Sequence, residues 1–168
     1  VGMTDNPPPA VSNFEAAGVG IGVGGNSAQI PTGVLIADNI VEGFNAGYNN
    51  GNGGIAIGYS DQVVVRGNQV RNCFLNGINI NNPFTNLVVT DNTIENTLAD
   101  PDAGIPVGIR VHLDQVPPED ITNITGRIER NTINGNFEPH SIGIRLDAPS
   151  GSPAPAFPSY KPASQLLS

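Results

Sequence analysis

The sequence is poor in the residues that define several common protein classes. Its 168 residues include one cysteine, no tryptophan, 5% aromatic residues and 13% charged residues, whereas an average globular protein has about 25% charged residues. The single cysteine, Cys73, excludes an internal disulfide bond and a metal site built from several cysteines. No apolar run approaches the ~20 residues of a membrane-spanning helix, so we expect no membrane insertion.

Positive charge is scarce as well. The chain has 7 Lys and Arg residues against 15 Asp and Glu residues, which gives a net charge of −8. Proteins that bind nucleic acids or anionic membranes normally present a basic surface, so this balance argues against both partners. The sequence starts at Val1 without a signal peptide, which favours a processed product or a fragment of a longer protein.

The abundant residues are Gly (21), Pro (15) and Asn (21). All three disfavour the interior of a helix. The hydrophobic fraction is 38%, and many of these residues are Val or Ile in alternating runs. Such runs favour β-strands and argue against disorder.

Two short motifs alternate along the chain. The first has Asn, an aliphatic residue two positions later and Gly or Asn two positions after that; its four copies span residues 38–43, 67–72, 91–96 and 130–135. The second is a pair of aliphatic residues flanking one variable residue, usually after a small residue. These pairs are Ile21/Val23, Ile55/Ile57, Ile78/Ile80, Ile109/Val111 and Ile142/Ile144. The shortest repeat runs from Ile55 to Ile78, and longer repeats carry polar insertions between motifs, as solenoid proteins do.

A period near 23 residues with short alternating strands predicts an all-β fold, a right-handed single-stranded parallel β-helix of about five coils. One coil alone cannot offset the ordering of its residues, at about 1.5 kcal/mol each, so coils must stack. We expect an N-terminal cap or worn first coil at 1–17, the β-helix at 18–147 and an extended tail at 148–168. Five prolines in the tail remove the amide donors that a coil needs.

Two columns of side chains should run through this stack. Asn39, Asn68, Asn92 and Asn131 recur at equivalent places, where we expect left-handed turn residues whose amides form a hydrogen-bonded ladder. Phe44, Phe74, Leu98 and Phe137 follow them by five or six residues and predict a stacked apolar column.

The repeat resembles that of the pectin-lyase-like superfamily, over about residues 11–147. This resemblance implies the β-helix fold. It leaves activity open, because the superfamily includes pectate lyases, alginate epimerases, accessory proteins of the NosD type and phage tailspikes.

The outward residues of the aliphatic-pair strands predict a candidate site. The position between the two aliphatic residues holds Gly22, Ala56, Asn79, Arg110 and Gly143, and the position after them holds Gly24, Gly58, Asn81, His112 and Arg145. Asp114 and Asp147 follow two residues further on. Arginine and asparagine side chains suit the carboxylate and hydroxyl groups of an acidic polysaccharide, and a base such as His112 would abstract the proton beside a uronate carboxyl group. The alternative is a solvated face, with Arg110 paired to Asp114 and Arg145 to Asp147.

One tripeptide bears on catalysis. Glu138-Pro139-His140 resembles the Asp-Pro-His motif of alginate epimerases, with Glu in place of Asp. The resemblance implies that Glu138 and His140 act as an acid–base pair in a polysaccharide lyase or uronate epimerase.

The leading functional interpretation is an extracellular or surface-located domain that binds or modifies a polysaccharide. The alternative is a non-catalytic structural module of an adhesin, fibre, tailspike or surface-layer protein, with self-association or further chain at the coil ends. We expect no cofactor and no metal; Asp100, Asp102 and Asp120 allow calcium, but no spaced ligand set is visible.

Overall fold

In the computed structural model, the described residues are 19–25, 28–44, 53–82, 85–95, 97, 105–113, 125–134 and 141–147. They form thirteen β-strands and no helix. The described residues therefore contain no helix that is long and apolar enough to cross a membrane. Cys73 is buried, and its thiol donates to the carbonyl oxygen of Arg71 at 3.3 Å.

The strands stack into three sheets, and every strand pairs in parallel with its neighbours. The first sheet contains β1 (Ile21–Gly24), β4 (Ile55–Gly58), β7 (Asn76–Asn81), β10 (Val107–His112) and β13 (Ile142–Asp147). The second sheet contains β2 (Leu35–Ala37), β5 (Val63–Arg66), β8 (Leu87–Thr90) and β11 (Gly126–Glu129). The third sheet contains β3 (Ile40–Glu42), β6 (Gln69–Arg71), β9 (Thr93–Glu95) and β12 (Thr132–Asn134).

The chain visits the three sheets in turn, so the fold is a parallel β-helix, as predicted. Four complete coils and the first strand of a fifth lie within the described residues. Ile55 pairs with Ile78, which confirms the shortest repeat. The inward side chains form one continuous core, in which Ile55, Ile78, Val89 and Ile109 are fully buried. Burying such a side chain contributes about 1.5–3 kcal/mol.

The predicted asparagine ladder is present. Oδ1 of Asn68 accepts hydrogen bonds from the backbone N–H and the Nδ2 group of Asn39, at 3.1 and 3.0 Å. Asn68 donates in the same way to Asn92, and Asn92 to Asn131, at 2.9–3.0 Å. Each Nδ2 group also donates to a carbonyl oxygen of its own coil, two residues before it. The ladder thus ties the second and third sheets together at every coil.

The expectation that the ladder asparagines themselves are left-handed is wrong. The residue before each one has positive φ: Asp38 (58°), Gly67 (64°), Asp91 (57°) and Arg130 (55°). The Gly or Asn that ends the motif is also left-handed where it is described, at Gly43 (75°) and Asn72 (54°). The ladder position is therefore selected for its amide group, and the neighbouring turn positions carry the unusual backbone.

A column of glycines lies where the first sheet approaches the third sheet. A Cβ atom on Gly77 would lie 2.5 Å from Cγ2 of Ile94, and one on Gly108 would lie 2.7 Å from Cγ2 of Ile133. Gly20 and Gly54 face Val41 and Val70 in the same way. The first sheet can approach the third sheet this closely only where the side chain is a hydrogen atom.

The predicted apolar column is partly within the described residues. The N–H of Phe74 donates to the carbonyl oxygen of Phe44 at 3.0 Å, so these two residues stack in successive coils. Phe44 also packs against the core. Leu98 and Phe137 lie outside the described residues, as do the proposed N-terminal cap and the tail.

Candidate functional site on the first sheet

The register of β13 differs from the sequence-based alignment. Ile144 pairs with Ile109 and Arg145 pairs with Arg110, so the expected alignment of Ile142 with Ile109 is wrong by two residues. The missed signal was the glycine before the aliphatic pair. Gly143 precedes Ile144 as Gly108 precedes Ile109, and both belong to the glycine column.

The corrected register defines two columns of outward side chains on β7, β10 and β13 of the first sheet. One contains Asn79, Arg110 and Arg145, and the other contains Asn81, His112 and Asp147. Arg110 and Arg145 are therefore direct neighbours on adjacent strands, which lie about 4.8 Å apart. Asp147 is the cross-strand neighbour of His112, and the expected equivalence of Asp147 with Asp114 is wrong.

A single carboxylate joins the two arginines. Nε of Arg110 donates to Oδ2 of Asp147 at 2.7 Å, and Nε of Arg145 donates to Oδ1 of the same residue at 2.6 Å. The side chain of Asp147 is 19% exposed and that of Arg145 is 41% exposed. Partial burial favours the protonated form of Asp147, but the hydrogen bonds and charges of Arg145 and Arg110 outweigh it. They hold the pKa of Asp147 below its ordinary value.

Charge is unevenly distributed among the described ion pairs. Four arginines (Arg66, Arg71, Arg127 and Arg130) pair with four carboxylates (Asp38, Glu42, Asp91 and Glu129). Arg110 and Arg145 share one carboxylate. Within the part of the chain that the structure describes, this cluster is where arginine charge exceeds the carboxylate charge paired with it.

Within the described ranges, nothing else engages the outer edges of the two guanidinium groups. Arg110 and Arg145 reach Asp147 through Nε, and neither makes another hydrogen bond or ion pair with residues inside the described ranges. Their Nη1 and Nη2 atoms can therefore donate to an acidic group. This arrangement suits the binding of an anion.

The other predicted site residues are either buried, half-buried or outside the described residues. Asn79 lies in the arginine column but is 3% exposed, so a ligand on the surface does not reach it. Asn81 and His112 are half-buried on the same face. Asp114, Glu138 and His140 lie outside the described residues, so the pairing of Arg110 with Asp114 stays a prediction. The predicted pairing of Arg145 with Asp147 is confirmed, and Arg110 shares that carboxylate.

Two other features of the described surface bear on function. No group of three or more His, Cys, Asp or Glu side chains in the described ranges is placed to hold a metal ion. A shallow depression of about 420 Å³ lies against Gly24, Gln29, Ile30 and Pro31. It belongs to the first coil, three coils away from His112 along the same sheet.

Comparisons of the chain with protein-family models, with curated proteins and with solved structures give no match. The fold and the candidate site therefore rest on the sequence pattern and on the geometry described above.

Proposed function

We propose that this protein binds an acidic polysaccharide through Arg110 and Arg145, on a β-helix of the pectin-lyase-like kind. The observation that carries the proposal is the shared carboxylate of Asp147. Two guanidinium groups on adjacent strands repel each other, and one carboxylate neutralises half of their charge. The described part of this face thus carries a local excess of positive charge and is partly exposed, which in a chain of net charge −8 supports an anionic ligand.

The chemistry of the two side chains fits an acid group on a sugar. A guanidinium group presents paired N–H donors in one plane, which match the two oxygen atoms of a carboxylate or the oxygens of a sulfate ester. Arg145 lies in β13, the last described strand of the first sheet, and is the more exposed of the two arginines. A polymer lying across β10 and β13 would therefore contact Arg145 first.

Modification of the polysaccharide is a further part of the proposal. His112 lies two residues from Arg110 on the same face of β10, about 6.6 Å along the strand, and would act as the base beside a bound uronate. Glu138 and His140 would complete the acid–base set of a lyase or epimerase. Binding depends on the arginines alone, so it can be tested separately from catalysis. A protein with this ligand would act outside the cell or on a cell or virion surface.

The second candidate function is a structural module of a fibre, adhesin or surface-layer protein. The first coil favours it, because Leu35 and Ile40 are 60% and 67% exposed on either side of one corner. Two exposed aliphatic side chains this close in sequence support a surface that contacts another protein. In this interpretation Asp147 serves only to neutralise Arg110 and Arg145.

Calorimetric titration with acidic and neutral oligosaccharides distinguishes the two functions. We expect millimolar or tighter binding of oligogalacturonate, weakening as salt concentration rises, and its loss in the Arg110→Ala/Arg145→Ala variant. The Arg66→Ala/Arg71→Ala variant is the matched control, because it removes the same charge from the other two sheets. Binding that is absent in the unaltered protein, or equal in both variants, would favour the structural module.

A further inference from the structure

The position of Asp147 constrains how the two arginines can move. Its two carboxylate oxygens each accept one Nε–H group, from Arg110 on the neighbouring strand and from Arg145 two residues earlier on its own strand. A hydrogen bond at Nε restricts the rotation of the guanidinium group and leaves the Nη atoms at its far end. Asp147 thus orients both donor sets without occupying their outer edges.

The charges of the cluster define the ligand that it can neutralise. Counted over the described residues alone, two guanidinium groups and one carboxylate give the cluster a net charge of +1. A uronate carboxylate or a sulfate ester carries a single negative charge and balances this excess. A phosphate monoester carries about −1.5 to −2 at pH 7, which leaves excess negative charge in a protein that is already acidic.

We propose that Asp147 is a positioning residue that prepares Arg110 and Arg145 to bind one singly charged acid group of a polysaccharide. This inference rests on the proposed function and adds the charge of the ligand group and the role of Asp147. Without Asp147, like charges directly opposite each other on adjacent strands destabilise their shared geometry. Both long side chains would then spread over several rotamers, and a ligand would have to order them on binding.

Substitution of Asp147 separates positioning from simple electrostatics, because the two predict changes of opposite sign. Asp147→Asn raises the net charge of the cluster from +1 to +2. Electrostatics alone would strengthen the binding of an anion. Positioning predicts about tenfold weaker binding together with a steeper dependence on salt. Glu42→Gln is the matched control, since it removes the partner of Arg71 on another face and leaves the site intact.

Asp147→Glu provides a second test that leaves the charge unchanged. The added methylene group moves the carboxylate, so positioning predicts weaker binding with the salt dependence of the unaltered protein. The Asp147→Glu variant also tests the role of Asp147 if Asp147→Asn folds poorly, which circular dichroism would show. Wild-type affinity in Asp147→Glu, or equal or tighter binding in a folded Asp147→Asn variant, would overturn the role of Asp147 while leaving the proposed function standing.

Three probes test the charge of the ligand group: oligogalacturonate, a sulfated galactan oligosaccharide and glucose 6-phosphate. We expect the carboxylate or the sulfate ester to bind at least tenfold more tightly than the phosphate monoester, and the better of the two identifies the acid group. Preference for the phosphate monoester would overturn the inference that the site binds a singly charged acid group. Absence of binding by all three probes would overturn both this inference and the proposed function.

Discussion

Asn68 and Asn92 are joined by two hydrogen bonds to one oxygen atom. The backbone N–H and the Nδ2 group of Asn68 both donate to Oδ1 of Asn92, at 3.0 and 2.9 Å, across 24 residues of sequence. Asn92 is buried and donates onward to Asn131 and to the carbonyl oxygens of Val65 and Thr90. Asn92 therefore satisfies polar groups of its own coil and of the coils on both sides.

Replacing Asn92 with Ala should lower the free energy of unfolding by about 1–3 kcal/mol, because buried partners lose their hydrogen bonds. Asn39→Ala is the matched control and should cost less, since Asn39 is the lowest described rung and is partly exposed. Urea unfolding of both variants measures the difference. Equal effects, or an unchanged midpoint for Asn92→Ala, would show that the ladder contributes little stability.

Replacing Gly77 with Ala should destabilise the protein by about 1–3 kcal/mol through overpacking. The new Cβ atom would lie 2.5 Å from Cγ2 of Ile94 and 2.7 Å from the carbonyl oxygen of Gly108. Gly143→Ala is the control, because a Cβ atom there meets nothing within 4 Å. Thermal unfolding should shift for Gly77→Ala alone. A similar shift in both variants would point to a general loss of strand propensity.

The left-handed position before each ladder asparagine should prefer glycine to alanine. Arg130 has φ of 55°, and a residue with a Cβ atom in that region costs about 1–2 kcal/mol relative to glycine. We therefore expect Arg130→Gly to be more stable than Arg130→Ala, although both lose the exposed ion pair with Asp91. Comparing the two by chemical denaturation cancels the ion-pair contribution. Equal stabilities would contradict the strain.

The carboxylate of Asp147 should make stability depend on pH. Its pKa is held below the ordinary value in the folded protein, so its contribution is fully present above about pH 4 and is lost as pH falls through the folded pKa. Urea unfolding between pH 5 and 2 should therefore show a smaller loss in Asp147→Asn than in the unaltered protein. Parallel curves would show that Asp147 is not stabilised by Arg110 and Arg145.

The fold was predictable because its determinants are local and repeated. Each coil needs inward aliphatic residues, an amide at the ladder and a turn residue beside it, and these recur at fixed offsets within each motif. The register of β13 was not predictable from aliphatic pairs alone, since Ile142, Ile144 and Leu146 offer two pairs with the same spacing. Gly143 decides between them, because it continues the glycine column.

The candidate site was predictable only in part, for a physical reason. Alternation along a strand indicates which side chains point outward, so Arg110, His112 and Arg145 were assigned to one face. Pairing between side chains depends on the register across strands, and the shift of two residues places Asp147 opposite His112, where it also pairs with Arg110. The burial of Asn79 also could not be predicted, since strand alternation does not show what covers an outward face.

The distance between successive ladder asparagines does not depend on how many residues of sequence separate them. Successive rungs are 29, 24 and 39 residues apart in sequence, yet the Nδ2 to Oδ1 distances are 3.0, 2.9 and 2.9 Å. The stretch between β10 and β11 alone accounts for much of the longest interval. The β-helix is therefore a natural scaffold for grafting: a foreign peptide inserted between those two strands should leave the spacing of the asparagines on either side unchanged.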